Sequence, residues 1–153
     1  MKKLLQTSND ILPFILRIGL AIVILPHGLQ KLLGIWGGHG PQWTVDMWQK
    51  WWGLPGFVTW LAILCESIGM ICLMLGLGTR FIAGSFGLIM LGAIYLVHAR
   101  FGFFMNWYNQ PGRGEGFEFH LLALTLVIAL LIKGSGKWSI DLLITQQSKN
   151  SDR

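Results

Sequence analysis

Four long apolar stretches constrain this chain more than any other feature. A hydrocarbon core about 30 Å thick takes roughly 20 mostly apolar residues to cross as a helix. The stretches lie at about Ile11–Leu33, Phe57–Leu77, Phe81–His98 and Gly116–Ile132. Only 12% of residues are charged, against about 25% in soluble globular domains, so the solvent for most of the surface is expected to be lipid. The link between the second and third stretches is just "GLGTR", which predicts a tight antiparallel hairpin. The third is rich in small residues (Ala83, Gly84, Ser85, Gly87, Gly92, Ala93) that let neighbouring backbones approach closely. The expected fold class is an all-α integral membrane protein: a four-transmembrane-helix antiparallel bundle with short interfacial segments in the outer loops.

Charge sets the expected orientation. Lys2, Lys3, Arg80, Lys133, Lys137, Lys149 and Arg153 fall on one side; Lys31, Lys50, Arg100 and Arg113 fall on the other. The positive-inside rule then places both termini in the cytoplasm. The same rule accounts for the formal net charge of +5, and without a Lys- or Arg-rich run the charge gives no reason to expect nucleic acid as a partner. The amino terminus begins like a signal peptide, but Asp10 and Arg17 interrupt it and no small-x-small cleavage site follows, so it reads as an uncleaved first span. Residues 1–145 are expected to form one four-helix membrane domain and residues 146–153 a flexible cytoplasmic tail. Cys65 and Cys72 would sit about 10 Å apart along one helix, too far for a disulfide between them; they read as small apolar groups.

The outer loops carry more aromatic residues than a lipid-boundary belt requires. The first contains "QWTVDMWQKWWGLPGF" and the second "FGFFMNWYNQPGRGEG"; the first reads as a short re-entrant or interfacial segment covering the bundle. Ionisable residues inside spans are expensive and need a partner or a purpose. Helix rise places His27, His98, Glu118 and His120 in the outer leaflet, with Lys31 at a boundary, Glu66 near the midplane and Arg17 in the inner half. Helical phase puts Leu20, Ile24, His27 and Lys31 on one stripe with Arg17 on the same side. Four groups at one level predict a shared cavity lined by His27, Lys31, His98 and Glu118 beneath the aromatic loops. Glu66 is expected to pair with Arg17, another helix's polar group or a water. Glu118 and His120 lie about 200° apart on a regular helix; Glu118 is expected inward and His120 near the boundary.

The motifs "RIGLAIVILPHGLQKLLG", "CESIGMICLMLGLGTR", "VHARFGFFMNW", "GEGFEFHLLAL" and "GSGKWSID", in this order, resemble the DoxX family of four-span bacterial membrane proteins, over about Ile11 to Leu143. The resemblance implies a multi-pass protein of the bacterial inner membrane, an oxidoreductase subunit linked in some members to quinone or thiosulfate oxidation. It places His27, Gln30, Lys31, Glu66, Arg80, Asn106, Glu118 and Asp141 at the family's recurrent polar positions. Neither a CxxCH haem motif nor an iron–sulfur cysteine pattern occurs, so electron transfer would use a quinone or a partner's cofactor, with no resident group. The candidate ligand pocket comprises His27, Gln30, Lys31, Glu66, His98, Asn106, Trp107 and Glu118. A metal held by His27, His98 and His120 with Glu118 ranks last. The competing function is a non-catalytic membrane module that anchors a partner or binds or transports a small molecule or metal. Lipid is the expected surroundings, with a partner oxidoreductase or a homo-oligomer as candidate assemblies.

Overall fold

A computed structural model describes residues 2–151; Arg153, counted in the charge asymmetry, lies outside the described residues. Among the described residues there is no strand. The helices are α1 (Lys2–Leu5), α2 (Ile11–Leu33), α3 (Gly40–Trp52), α4 (Gly56–Leu64), α5 (Met70–Leu75), α6 (Thr79–Ala93), α7 (Glu118–Lys133) and α8 (Ile140–Ser151). A π-helical turn, Cys65–Gly69, joins α4 to α5 without a break. A second π turn, Ile94–His98, and a 3₁₀ turn, Ala99–Phe101, extend α6. Three of these helical segments, Ile11–Leu33, Gly56–Leu75 and Thr79–Phe101, are long and apolar enough to cross a membrane. Helix α7 has 16 residues, about 24 Å of rise.

Local signals fix the helix ends. Asp10 caps α2, its carboxylate accepting from Leu12 N at 3.0 Å. Gly34 ends the same helix in the left-handed region at φ 68°, its N–H donating to Gln30 O, the conformation glycine adopts at least cost. Helix α2 continues through Pro26.

One core joins four of these segments. Leu20, Ala21 and Ile24 of α2 meet Met70 and Leu73 of α5, Ala83, Phe86 and Met90 of α6, and Ala123, Val127 and Leu130 of α7. Around it, large apolar side chains face outward, among them Ile22, Leu61, Ile68, Leu88 and Leu122. An outer surface this apolar is what lipid, rather than water, solvates.

At the end that carries α1 and α8, polar groups tie together segments distant in the chain. Arg17 is fully buried. Its Nε donates to Ser135 O at 3.1 Å, its Nη1 to Leu73 O at 3.3 Å and to Met74 O, and its Nη2 to Lys137 O at 3.2 Å and to Trp138 O. Asp141 accepts from Gly78 N at 2.8 Å and Thr79 N at 3.0 Å, capping α6 from α8. Arg80 donates to Leu131 O and Ile132 O at the end of α7 and to Leu4 O and Gln6 O beside α1. The motifs "LGLGTR" and "GSGKWSID" thus form one junction, and two of the recurrent polar positions, Arg80 and Asp141, hold backbone there. Of the tail expected at 146–153, residues 146–151 continue α8.

Candidate functional site

The site begins with a glycine. A Cβ at Gly28 would lie 2.1 Å from Glu66 O and 2.6 Å from Ser67 N, so α2 and the π turn touch backbone to backbone. One turn further along α2, Lys31 shares that face. Its ammonium forms an ion pair with the buried Glu66 carboxylate. Glu66 sits within the π turn, whose wider winding breaks the i→i−4 register; such turns recur at functional sites. The Lys31 Nζ also lies 5.4 Å from the Trp48 ring centroid on α3, a distance at which the ring face attracts a cation.

Above the pair opens a cleft of about 220 Å³ lined by Gln30, Lys31, Gly37, Gly38, His39, Trp43, Thr44 and Trp48. The tryptophan-rich first loop supplies one wall as α3, which packs on α2 and α4. The His39 ring lies 4.0 Å from that of Trp43 at 35°. Gln30 Nε2 donates to Trp36 O at 3.0 Å, bracing the loop between α2 and α3. Thr44 Oγ1 donates to Gly40 O at 2.7 Å. Glu66 lies behind Lys31 and does not line the cleft.

A second polar cluster forms where α6 and α7 meet the second loop. His98 closes the second π turn. Its Nδ1 donates to Glu115 O at 2.8 Å, and its ring lies 4.1 Å from that of His120. His120 is buried, and its Nδ1 has no hydrogen-bond partner among the described residues. Glu118 accepts from Met105 N at 3.0 Å and from the Trp107 indole. Glu115 accepts from Asn106 N at 2.6 Å, and the Asn106 amide donates to Gln110 O and Arg113 O. Asn106, Trp107 and Glu118 therefore shape this loop.

The placement differs from the sequence expectation in three respects. His27 is exposed on α2 and does not line the cleft; Gly28 occupies the buried stripe. His98 and Glu118 belong to the second cluster, so the four groups expected in one cavity divide, and only Lys31 lines this cleft. Of the partners expected for Glu66, the structure supplies another helix's polar group, Lys31, while Arg17 holds carbonyls. His120 turns inward while Glu118, the first residue of α7, reaches back to the loop; the angle between them was sound and its sense reversed. Among the described residues, no group of three or more His, Cys, Asp or Glu side chains is placed to hold a metal ion. The aromatic ring stack of His39 on Trp43 and both π turns escaped sequence reasoning, the π turns because no residue pattern marks them.

The DoxX family model matches residues 12–99, a span that includes α2, the cleft, both π turns and the Lys31–Glu66 pair. The protein named "Putative oxidoreductase CatD" from Bacillus subtilis (strain 168) is 28% identical over 148 residues, covering 97% of this chain and 98% of that protein. No solved structure matches.

Proposed function

The chain belongs to the DoxX family, and from that premise we propose that it is the membrane part of an oxidoreductase system, binding a quinone-type ring in the Lys31 cleft and working with a partner redox enzyme. The observation that carries this reading is the ion pair between Lys31 and the buried Glu66 at the foot of an aromatic-walled cleft. The lining is mixed, with aromatic walls around a few polar groups of the kind that fix a ligand's orientation in small-molecule sites. The donor set fits the ring: an ammonium to meet a carbonyl oxygen, and Trp43 and Trp48 to cover its faces. At about 220 Å³ the cleft is smaller than the roughly 300–1,000 Å³ of pockets that enclose drug-sized ligands. It suits a headgroup whose tail stays in lipid. A bound quinone supplies two-electron chemistry; the chain's own residues supply orientation and a charged hydrogen bond. The relative named as an oxidoreductase along nearly its whole length supports the redox assignment.

Purified protein should retain a quinone that organic extraction releases, and should bind added duroquinone in equilibrium dialysis. Trp48→Leu, which removes the ring beside Lys31, should weaken that binding by up to about tenfold. Saturable binding that Trp48→Leu leaves unchanged would move the ligand out of this cleft.

The same reading takes α7 as a fourth span, antiparallel to its neighbours, in the bacterial inner membrane with both termini cytoplasmic. Its short length is met by local thinning of the bilayer at modest cost, and its packing on α6 and α2 supports the assignment. A periplasm-active reporter inserted after Gln110 should give signal, and one fused after Thr145 should give none. Signal from the second fusion would reverse the orientation.

A further inference from the structure

The structure carries a second consequence for the cleft, one that rests on the quinone reading. We propose that Glu66 is a positioning residue that fixes Lys31 as a charged donor facing the cleft, so that the site selects the oxidised ring over its reduced form.

An ammonium donates hydrogen bonds and cannot accept them. The Glu66 carboxylate pairs with the ammonium from behind and holds it at the foot of the cleft. The π turn and the Gly28 contact hold that carboxylate in place: α2 can approach the Glu66 backbone because residue 28 has no side chain.

The carboxylate is also kept away from the ligand. Glu66 would be the strongest acceptor for a hydroxyl, yet it lies behind Lys31 and outside the cleft lining. Of the other polar groups lining the cleft, Thr44 has given its hydrogen to Gly40 O and Gln30 has given one amide hydrogen to Trp36 O. Trp43 and Trp48 bring indole N–H groups, which only donate. The cleft therefore offers its one charged hydrogen bond to an acceptor. A quinone carbonyl takes that bond fully. A quinol oxygen accepts less well, and its two hydroxyl hydrogens meet only the uncharged acceptors of Gln30, Thr44, His39 and the loop backbone. Hydrogen bonds to charged groups are the stronger class, so the difference falls mainly on Lys31.

Equilibrium dialysis under anaerobic conditions, with duroquinone and duroquinol compared on the same detergent-solubilised protein, tests this directly. The oxidised ring should bind about tenfold more tightly. The double variant Lys31→Met/Glu66→Leu removes both charges without leaving either unpaired, and in it the two forms should bind within about twofold of each other. Glu66→Gln should also reduce the ratio while leaving binding of the ring itself detectable. Equal affinities in the unaltered protein would overturn the selectivity and leave the quinone reading standing. A ratio that survives in the double variant would overturn the role of Lys31 and Glu66. Binding of neither form would remove the quinone reading, and this inference with it. The comparison in the unaltered protein needs no variant to fold.

Discussion

Lys31→Met should destabilise the protein by about 3–5 kcal/mol, because it leaves the buried Glu66 carboxylate without its cation. Glu66 is 4% exposed, and among the described residues its carboxylate accepts from the Lys31 ammonium alone. The pair itself need not be strongly stabilising, since desolvation offsets much of its attraction. The double variant Lys31→Met/Glu66→Leu should therefore recover most of the loss, and thermal unfolding in detergent would show the order: unaltered protein and double variant close together, single variant well below. Glu66→Gln should cost less than Lys31→Met, because Lys31 is a quarter exposed and can turn its ammonium to the cleft. Single variants that sum to the double would mean that the two charges do not interact.

Arg17→Met should have the larger effect and prevent accumulation of folded protein. The guanidinium serves five carbonyls, two at the end of α5 and three between α7 and α8. Each buried carbonyl left unsatisfied costs about 1–3 kcal/mol, so losing several approaches the whole stability of a typical domain, about 5–15 kcal/mol. Arg17→Lys should fail nearly as badly: one ammonium with three donors cannot reproduce a planar fork with five. Size-exclusion profiles and yield of the two variants measure this. A Lys variant with the unaltered profile would show that charge at this position suffices and that the fork is dispensable.

Three of the four apolar stretches were legible as helices of spanning length, because apolar length is a property of composition and needs no knowledge of packing; the helix running into the expected tail was not. Of the cleft's lining, Gln30 and Lys31 belong to the pocket expected from the sequence, and the wall of His39 on Trp43 does not. On α2, Gly28 lies about 20° from Arg17 around the helix and His27 about 80°; the glycine, not the ionisable residue beside it, marks the contact face. Lys31 and Glu66 were both singled out, yet depth reckoned from uniform helical rise set them at different levels. Depth alone did not allow for a lysine stem reaching down from the helix end, nor for an extra residue wound into the π turn. On α7, the 200° between Glu118 and His120 was correct. Which of them faced inward depended on a loop of 16 residues, 102–117, folding back to offer Met105 N and Trp107 to the glutamate. No local propensity encodes that return.

The arginine junction also bears on how the chain is made. Arg17 enters the bilayer with the first span, while its partners Ser135, Lys137 and Trp138 follow 118 to 121 residues later. A ribosome adding roughly 5–20 residues per second leaves that side chain without those three carbonyls for many seconds. During that interval a lone arginine on an isolated helix is tolerated by stretching toward the headgroups. Final seating of the first span thus waits on the segment that follows α7, and a nascent chain truncated before Ser135 would hold its first helix in a shallower, provisional position.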